Sequence, residues 1–297
     1  MNYVLILLFS VLAIMNLGNT QQEKEDWQQL FNSRDLTGWD VKIAGLELNE
    51  NFSNTFRVED GMLRISYEDY QQFNDRYGHI YYETPFSYYK LRFDYRFVGD
   101  QLEGGAKWNV RNSGVMLHAQ SAQSNELDQN FPVSVELQLL GGLGTGDRPT
   151  ANVCTPGTFV ELGDTVNYDH CVQSHSLTYD GDRWVHVEAL VMGGEYMVFM
   201  VEGDTVLRFQ KPKIGSGFTN NKQKERAWKN LGIIDRIDFW EAKSGTTLDA
   251  GYIALQAESH PIDFKNIELL NLCGCMDASA KNYKSYYIKE DPTSCKY

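Results

Sequence analysis

The chain has 297 residues, of which 42% are hydrophobic and 13% aromatic, and it carries a formal net charge of -13 at pH 7. The acidic residues are spread along the chain, so this charge excludes nucleic acid and anionic membrane surfaces as partners and favours a neutral ligand. The length suits one large β-sandwich.

The N-terminus predicts export. An apolar run from Met1 to Leu17 is followed by the small and polar residues 18–20 and then by a polar stretch. This pattern is typical of a signal peptide, which we place at residues 1–20, and it predicts a periplasmic or extracellular protein. An uncleaved membrane anchor is the alternative, since a run of this length can just cross a bilayer. After cleavage we expect no membrane contact.

Strand signals recur along most of the chain. Residues 55–58 and 62–66 flank a turn at Asp60-Gly61, which predicts a hairpin. Residues 89–98 alternate between apolar and charged side chains, as in a strand with one buried face. Further runs are 114–120, 133–140, 184–192, 196–202, 205–210, 251–258 and 262–270. Because no long helical period appears, we predict an all-β protein, a jelly-roll sandwich, with residues 213–250 as an insertion that borders the site.

The five cysteines predict disulfides, because an exported chain meets an oxidising environment. Cys154 and Cys171 bracket a polar loop, and we predict that they pair. In the tail we predict a Cys275–Cys295 bridge, which leaves Cys273 free or paired with another chain. Residues 273–297 thus form a small cystine-closed C-terminal module, which resembles short accessory modules of exported bacterial proteins.

Polar faces on three strands are the main functional signal. In the run 133–139, side chains alternate, so the valines and leucines share one face and Glu136 and Gln138 share the other. The other two strands repeat this arrangement with Asn112, Met116, His118 and Gln120, and with Gln256, Glu258 and His260. One such strand arises easily by chance, but three together predict a polar concave cleft.

Three segments resemble the 3-keto-disaccharide hydrolase family. They are 112–118 (NSGVMLH), 135–140 (VELQLL) and 251–267 (GYIALQAESHPIDFKNI), and the opening 27–39 (WQQLFNSRDLTGW) is similar to that family as well. The resemblance covers about residues 26–271. It implies a concanavalin A-like jelly roll and action on glycosides oxidised at the third carbon of the sugar.

A ketone at that carbon acidifies the C2 proton, so one base can start cleavage of the C1 bond. We predict His118 or Glu136 as the base. The predicted sugar-binding residues are Trp108, Arg111, Asn112, Gln138, Gln256, Glu258 and His260. Glu136, His118 and Glu258 are candidate ligands for a divalent metal ion that would act as a Lewis acid.

Several alternatives stay open. Family members hydrolyse, eliminate or hydrate, and the sequence does not separate these outcomes. Glu136 and Glu258 can also meet across strands as the carboxyl pair of an ordinary glycosidase. The second class of function is a lectin-like protein, which binds a glycoside or oxidised sugar without cleaving it. The same fold serves enzymes and lectins, so the fold does not decide between them. The enzyme hypothesis depends on Glu136, His118 and Glu258 converging in one hollow.

Overall fold

The computed structural model describes residues 24–215 and 224–297, so the signal peptide predicted at 1–20 lies outside the described residues. Within those two ranges, no helix is long and apolar enough to cross a membrane. The strands are β1 (Gln28–Gln29), β2 (Trp39–Ile43), β3 (Phe56–Glu59), β4 (Met62–Ile65), β5 (Gly78–Tyr82), β6 (Tyr88–Phe97), β7 (Asn112–Ala119), β8 (Val135–Leu140), β9 (Asn152–Cys154), β10 (Thr158–Leu162), β11 (Thr165–Asn167), β12 (Cys171–Val172), β13 (Val185–Met192), β14 (Tyr196–Val201), β15 (Asp204–Ile214), β16 (Tyr252–Ala257), β17 (Ile262–Asn271), β18 (Cys273–Gly274) and β19 (Lys289–Glu290). The α-helices are α1 (Lys224–Asn230) and α2 (Ile237–Ala242), and 3-10 turns lie at Phe52–Asn54, Lys107–Asn109, Ala122–Ser124 and Pro292–Ser294.

Two antiparallel sheets pack face to face. The first has ten strands in the order β11-β10-β15-β14-β13-β6-β17-β4-β3, with β1 paired to β17, and the second has seven in the order β12-β9-β8-β7-β16-β5-β2. The apolar core lies between them. This architecture confirms the predicted all-β jelly-roll sandwich.

Strand β6 shows why the sequence folds this way. Its side chains alternate between buried and partly exposed along all ten residues. Leu91, Phe93 and Tyr95 point into the core, whereas Arg92 and Asp94 lie on the outer face. A side-chain period of two therefore fixes which face of the ten-stranded sheet is buried.

The predicted hairpin is formed by β3 and β4. Asp60 and Gly61 both have positive φ, at 50° and 75°, as a two-residue type I′ turn requires. The meander of β13, β14 and β15 is also present. Strand β15 runs to Ile214, beyond the predicted end at residue 210, and the helices α1 and α2 follow in the segment predicted as an insertion.

A buried ion-pair cluster ties three strands of the ten-stranded sheet together. Asp263 on β17 is fully buried. Its carboxylate accepts from Nε of Arg64 on β4 at 2.6 Å and from Nε of Arg96 on β6 at 2.9 Å. Two cations satisfy one buried anion, so removing the anion should cost more than a surface ion pair would.

Two disulfides are formed, Cys154–Cys171 and Cys275–Cys295, as predicted. Cys273 forms no disulfide. It lies on β18, which pairs in parallel with β19 within residues 273–297, the stretch predicted as a C-terminal module.

Candidate functional site

A cavity of about 710 Å³ opens on the outer face of the seven-stranded sheet. Polar side chains from β7, β8 and the end of β16 meet in it, and loops and the α1 segment supply the rest of its wall. The cavity is lined by Lys107, Trp108, Asn112, Phe131, Glu136, Gln138, Leu140, Leu143, Arg148, Cys154, Pro156, His170, Cys171, Asn230, Leu231 and Glu258. Five of the predicted site residues, Trp108, Asn112, Glu136, Gln138 and Glu258, are therefore brought together.

Strand register explains how the two carboxyl groups meet. On β8, Glu136 stands opposite Met116 of β7, and Gln138 stands opposite Gly114. Gly114 leaves a gap that the Glu136 side chain fills: a Cβ atom at position 114 would lie 2.4 Å from Oε1 of Glu136. The carboxyl group thus leans across β7 towards Glu258, which directly follows the last residue of β16.

The pair is buried, with Glu136 6% and Glu258 2% exposed. Burial raises the pKa of Glu136 because the charged form loses its hydration. Burial also raises the pKa of Glu258, and the negative charge of Glu136 raises it further. Two negative charges in one buried site are disfavoured, so the pair favours holding at least one proton. One carboxylate and one carboxylic acid side by side form an acid–base pair.

Several buried polar atoms around this pair have no hydrogen-bond partner among the residues that the structure describes. They are Oε2 of Glu258, Oδ1 of Asn112, Nε2 of His79, and both amide atoms of Gln256. Gln256 is fully buried beside His79 and does not line the cavity. Since buried polar groups are rarely left unpaired, such a cluster is typical of a site shaped for a polar ligand.

Two large apolar side chains border the rim of the cavity. Trp108 is 54% exposed and stacks on Tyr77 with ring centroids 6.1 Å apart, and Leu143 is 52% exposed. Arg148 also lines the cavity and is half-buried, and it donates to the carbonyl oxygens of Val110 and Gly141 at 2.7 and 2.5 Å. Its guanidinium group thus holds the loops that shape the cavity.

The Cys154–Cys171 disulfide forms part of the wall. Cys154 is the register partner of both Glu136 on β8 and Cys171 on β12, so all three side chains share one face. This places His170 at the cavity, and burial lowers the pKa of that histidine to about 4. Its position next to Cys171 was the signal that sequence reasoning missed. In the described part of the chain, Cys154, His170 and Cys171 place three potential metal-ligand atoms within 4.8 Å of one another. The two sulfurs are joined in a disulfide, so neither is a free thiolate that could bind a metal ion.

The prediction that His118 converges with Glu136 and Glu258 is wrong. Between Ala119 and Met116, β7 has one residue more than its partner β16, and His118 at this bulge has a φ of 50°. A bulge shifts the alternation by one residue, so the imidazole turns to the other face. There it packs 5.9 Å from Tyr89, with its nitrogens 3.2 Å from the carbonyl oxygens of Leu248 and Ser87. The predicted metal-ligand set is therefore not assembled.

Arg111 and His260 also lie away from the cavity lining. Arg111 has a φ of 46°, and its guanidinium donates to Asp182 at 3.2 Å. Ser259, with a φ of 72°, ends the alternation after Glu258, and the ring of His260 packs edge-on against Phe97 in the core. The prediction for His260 assumed that the strand period continues past the end of β16.

Comparison with known proteins decides the family. The model of the 3-keto-alpha-glucoside-1,2-lyase-like domain matches residues 26–270. The chain belongs to this 3-keto-alpha-glucoside-1,2-lyase-like family. The resemblance inferred from the motifs is thereby confirmed, and the family domain contains the whole cavity. A search among curated protein sequences found no match.

Several solved structures are similar to this 3-keto-alpha-glucoside-1,2-lyase-like domain at low identity. A candidate glycosyl hydrolase from Parabacteroides distasonis is 18% identical with a TM-score of 0.44, over 82% of this chain and 93% of that one. A galectin-like protein of unknown function from Bacillus subtilis is 11% identical with a TM-score of 0.40, over 84% and 97%. The carbohydrate-binding module CBM66 from the same organism is 9% identical with a TM-score of 0.41, over 81% and 99%.

Proposed function

We propose that the protein is an exported enzyme that cleaves 3-keto-glycosides, with Glu136 as the base and Glu258 as the acid. The observation that carries the proposal is the buried carboxyl pair in a cavity whose floor has unpaired polar atoms. The family assignment supports the substrate class. The two disulfides support export, because such bonds persist in oxidising compartments outside the cytoplasm.

The proposed reaction is a β-elimination. The Glu136 carboxylate takes the proton from C2, and the C–H electron pair moves towards the C3 ketone to give an enolate. The enolate then forms the C1=C2 double bond, the C1–O bond breaks, and Glu258 gives its proton to the leaving oxygen. The C3 ketone is restored, and the products are a 2-hydroxy-3-keto-glycal and the free alcohol. The reaction consumes no co-reactant.

The pair must be reset after each turnover, since Glu136 ends protonated and Glu258 ionised. Both side chains line the same cavity, so a proton can return through one bridging water or by exchange with solvent. Water that adds across the new double bond gives the 3-keto sugar, which makes the overall outcome hydrolysis. The amide of Asn112 lines the same floor and can orient a sugar oxygen there.

The test compares a 3-keto-glycoside with its unoxidised parent. We expect cleavage of the oxidised substrate only, and a loss of about 10²–10⁴-fold in kcat for Glu136→Gln and for Glu258→Gln. Glu188→Gln, on the outer face of the ten-stranded sheet, is the matched control and should keep full activity. Cleavage of the unoxidised glycoside at a similar rate would point to the ordinary glycosidase. Binding without any turnover would point to the lectin-like protein.

The predicted divalent metal site keeps two of its three candidate ligands, Glu136 and Glu258, and loses His118. It stays a prediction from the sequence. Activity should fall on chelation and return with added cation if the pair holds a metal. Equal rates with and without a chelator would remove the metal from the mechanism.

A further inference from the structure

We infer that the outer half of the cavity is a subsite for an aromatic or other flat apolar aglycone rather than for a second sugar ring. The inference rests on the proposed function for its orientation, with the keto sugar on the polar floor and the leaving group at the rim. It goes beyond that function because it names the group on the far side of the cleaved bond.

The first observation is the contrast between floor and rim. The floor carries Glu136, Glu258 and Asn112, all of them buried. The rim presents Trp108 and Leu143, which are each more than half exposed. Large apolar side chains that border a cavity and remain open to water are typical of a ligand contact that is completed on binding.

The second observation is the fixed position of Trp108. Its ring lies nearly parallel to Tyr77, with 6° between the planes, and Tyr77 is buried. One face of the indole is thus backed by the protein while more than half of the side chain stays exposed. A ring held in this way loses little conformational entropy when a flat group stacks on it. Less of the stacking energy is therefore offset by the cost of ordering the side chain.

The third observation is that several polar groups near the rim are bonded within the protein and that others lie exposed to water. Nη1 and Nη2 of Arg148 donate to carbonyl oxygens, and the side-chain oxygen of Gln138 accepts from Asn152 at 3.0 Å. Lys107 and Asn230 are exposed. A sugar hydroxyl at the rim would therefore exchange water contacts for similar ones and gain little. An aryl group needs no such partners.

Binding can be measured without catalysis. Titration calorimetry would compare phenyl glucoside, methyl glucoside and a glucosyl-glucose of the same anomeric form. We expect the phenyl compound to bind roughly tenfold tighter than either of the others. Trp108→Ala should abolish that advantage and Trp108→Phe should retain most of it. Trp184→Ala, whose ring lies under Lys265 on the ten-stranded sheet, is the matched control and should change nothing.

The same three compounds in their 3-keto forms provide the turnover measurement. Equal binding of phenyl and methyl glucosides, tighter binding of the disaccharide, or an aryl preference untouched by Trp108→Ala would overturn the aglycone subsite. Aryl binding that depends on Trp108 without turnover of any keto substrate would leave the subsite standing and refute the proposed catalysis instead.

Discussion

Gly114→Ala should strongly reduce the proposed cleavage of 3-keto-glycosides without unfolding the protein. The glycine sits inside β7 with ordinary strand geometry, since it is not among the glycines with positive φ, so alanine fits the backbone. The obstacle is the Glu136 side chain, whose Oε1, Cγ and Cδ would lie 2.4, 2.7 and 2.9 Å from the new methyl carbon. Glu136 must therefore move away from Glu258.

The size of the effect follows from these distances. To reach even 3.0 Å, Oε1 must shift by at least about 0.6 Å, and the contacts to Cγ and Cδ, which are also below 3.0 Å, force the whole side chain to move. Misplacement of a catalytic group on this scale costs on the order of 100-fold in rate. Crowding should lower the free energy of unfolding by only about 1–3 kcal/mol, which the large core can absorb.

The assay is kcat on a 3-keto-glycoside beside thermal unfolding, for wild type, Gly114→Ala, Glu136→Gln and the double variant. If the methyl group acts through Glu136, Gly114→Ala should add little to the loss in the Glu136→Gln background. A folded Gly114→Ala protein with activity within threefold of wild type would refute the proposed placement of the carboxyl group.

Other predictions concern stability and the cavity wall. Burial raises the pKa of Glu136 to about 8, so between the unfolded value near 4.5 and that pH the unfolded chain releases a proton that the folded chain keeps, and stability falls as pH rises. Glu136→Gln should therefore be more stable than wild type at pH 8, by up to about 4 kcal/mol, and equal to it near pH 4, as chemical denaturation at both pH values would show. Burial lowers the pKa of His118 to about 4, so wild type should lose about 3 kcal/mol as pH falls from 6.5 towards 4, and a His118→Gln variant that shows the same slope would contradict this origin. Replacing Cys154 and Cys171 by serine should lower the free energy of unfolding by about 3 kcal/mol and also reduce activity, because the bridge forms part of the cavity wall; unchanged kcat in the folded variant would show that the wall does not need it. Asp263→Asn leaves two arginines facing a neutral group, so it should lower the free energy of unfolding, measured with denaturant at pH 7, by about 3–5 kcal/mol. A decrease below about 1 kcal/mol would mean that the cluster contributes no more than a surface ion pair does.

The fold could be predicted from the sequence where a strand is long and one-sided. The alternation along β6, from Tyr89 to Phe97, gives its buried face directly, and the pair Asp60-Gly61 gives the hairpin turn. In both cases the information is local. The short strands β9 to β12 were missed because runs of two to five residues carry too little periodic signal.

The site could be predicted only up to the first irregularity in each strand. Glu136 and Gln138 share a regular strand, and their common face was correct. His118 and His260 lie beyond a bulge and beyond a strand end, where a single positive φ turns the side chain to the opposite side. His170 reaches the cavity through a disulfide and a strand pairing, neither of which local alternation records.

Abstraction of the C2 proton by Glu136 can be tested most directly with a 3-keto-glycoside that carries deuterium at C2. Single-turnover cleavage with enzyme in excess isolates the chemical step from product release. We expect the deuterated substrate to react more slowly than the one with hydrogen at C2 for wild type and for Glu188→Gln, and both substrates to react at least about 100-fold more slowly with Glu136→Gln. Equal rates for the two substrates, together with undiminished cleavage by Glu136→Gln, would contradict the mechanism.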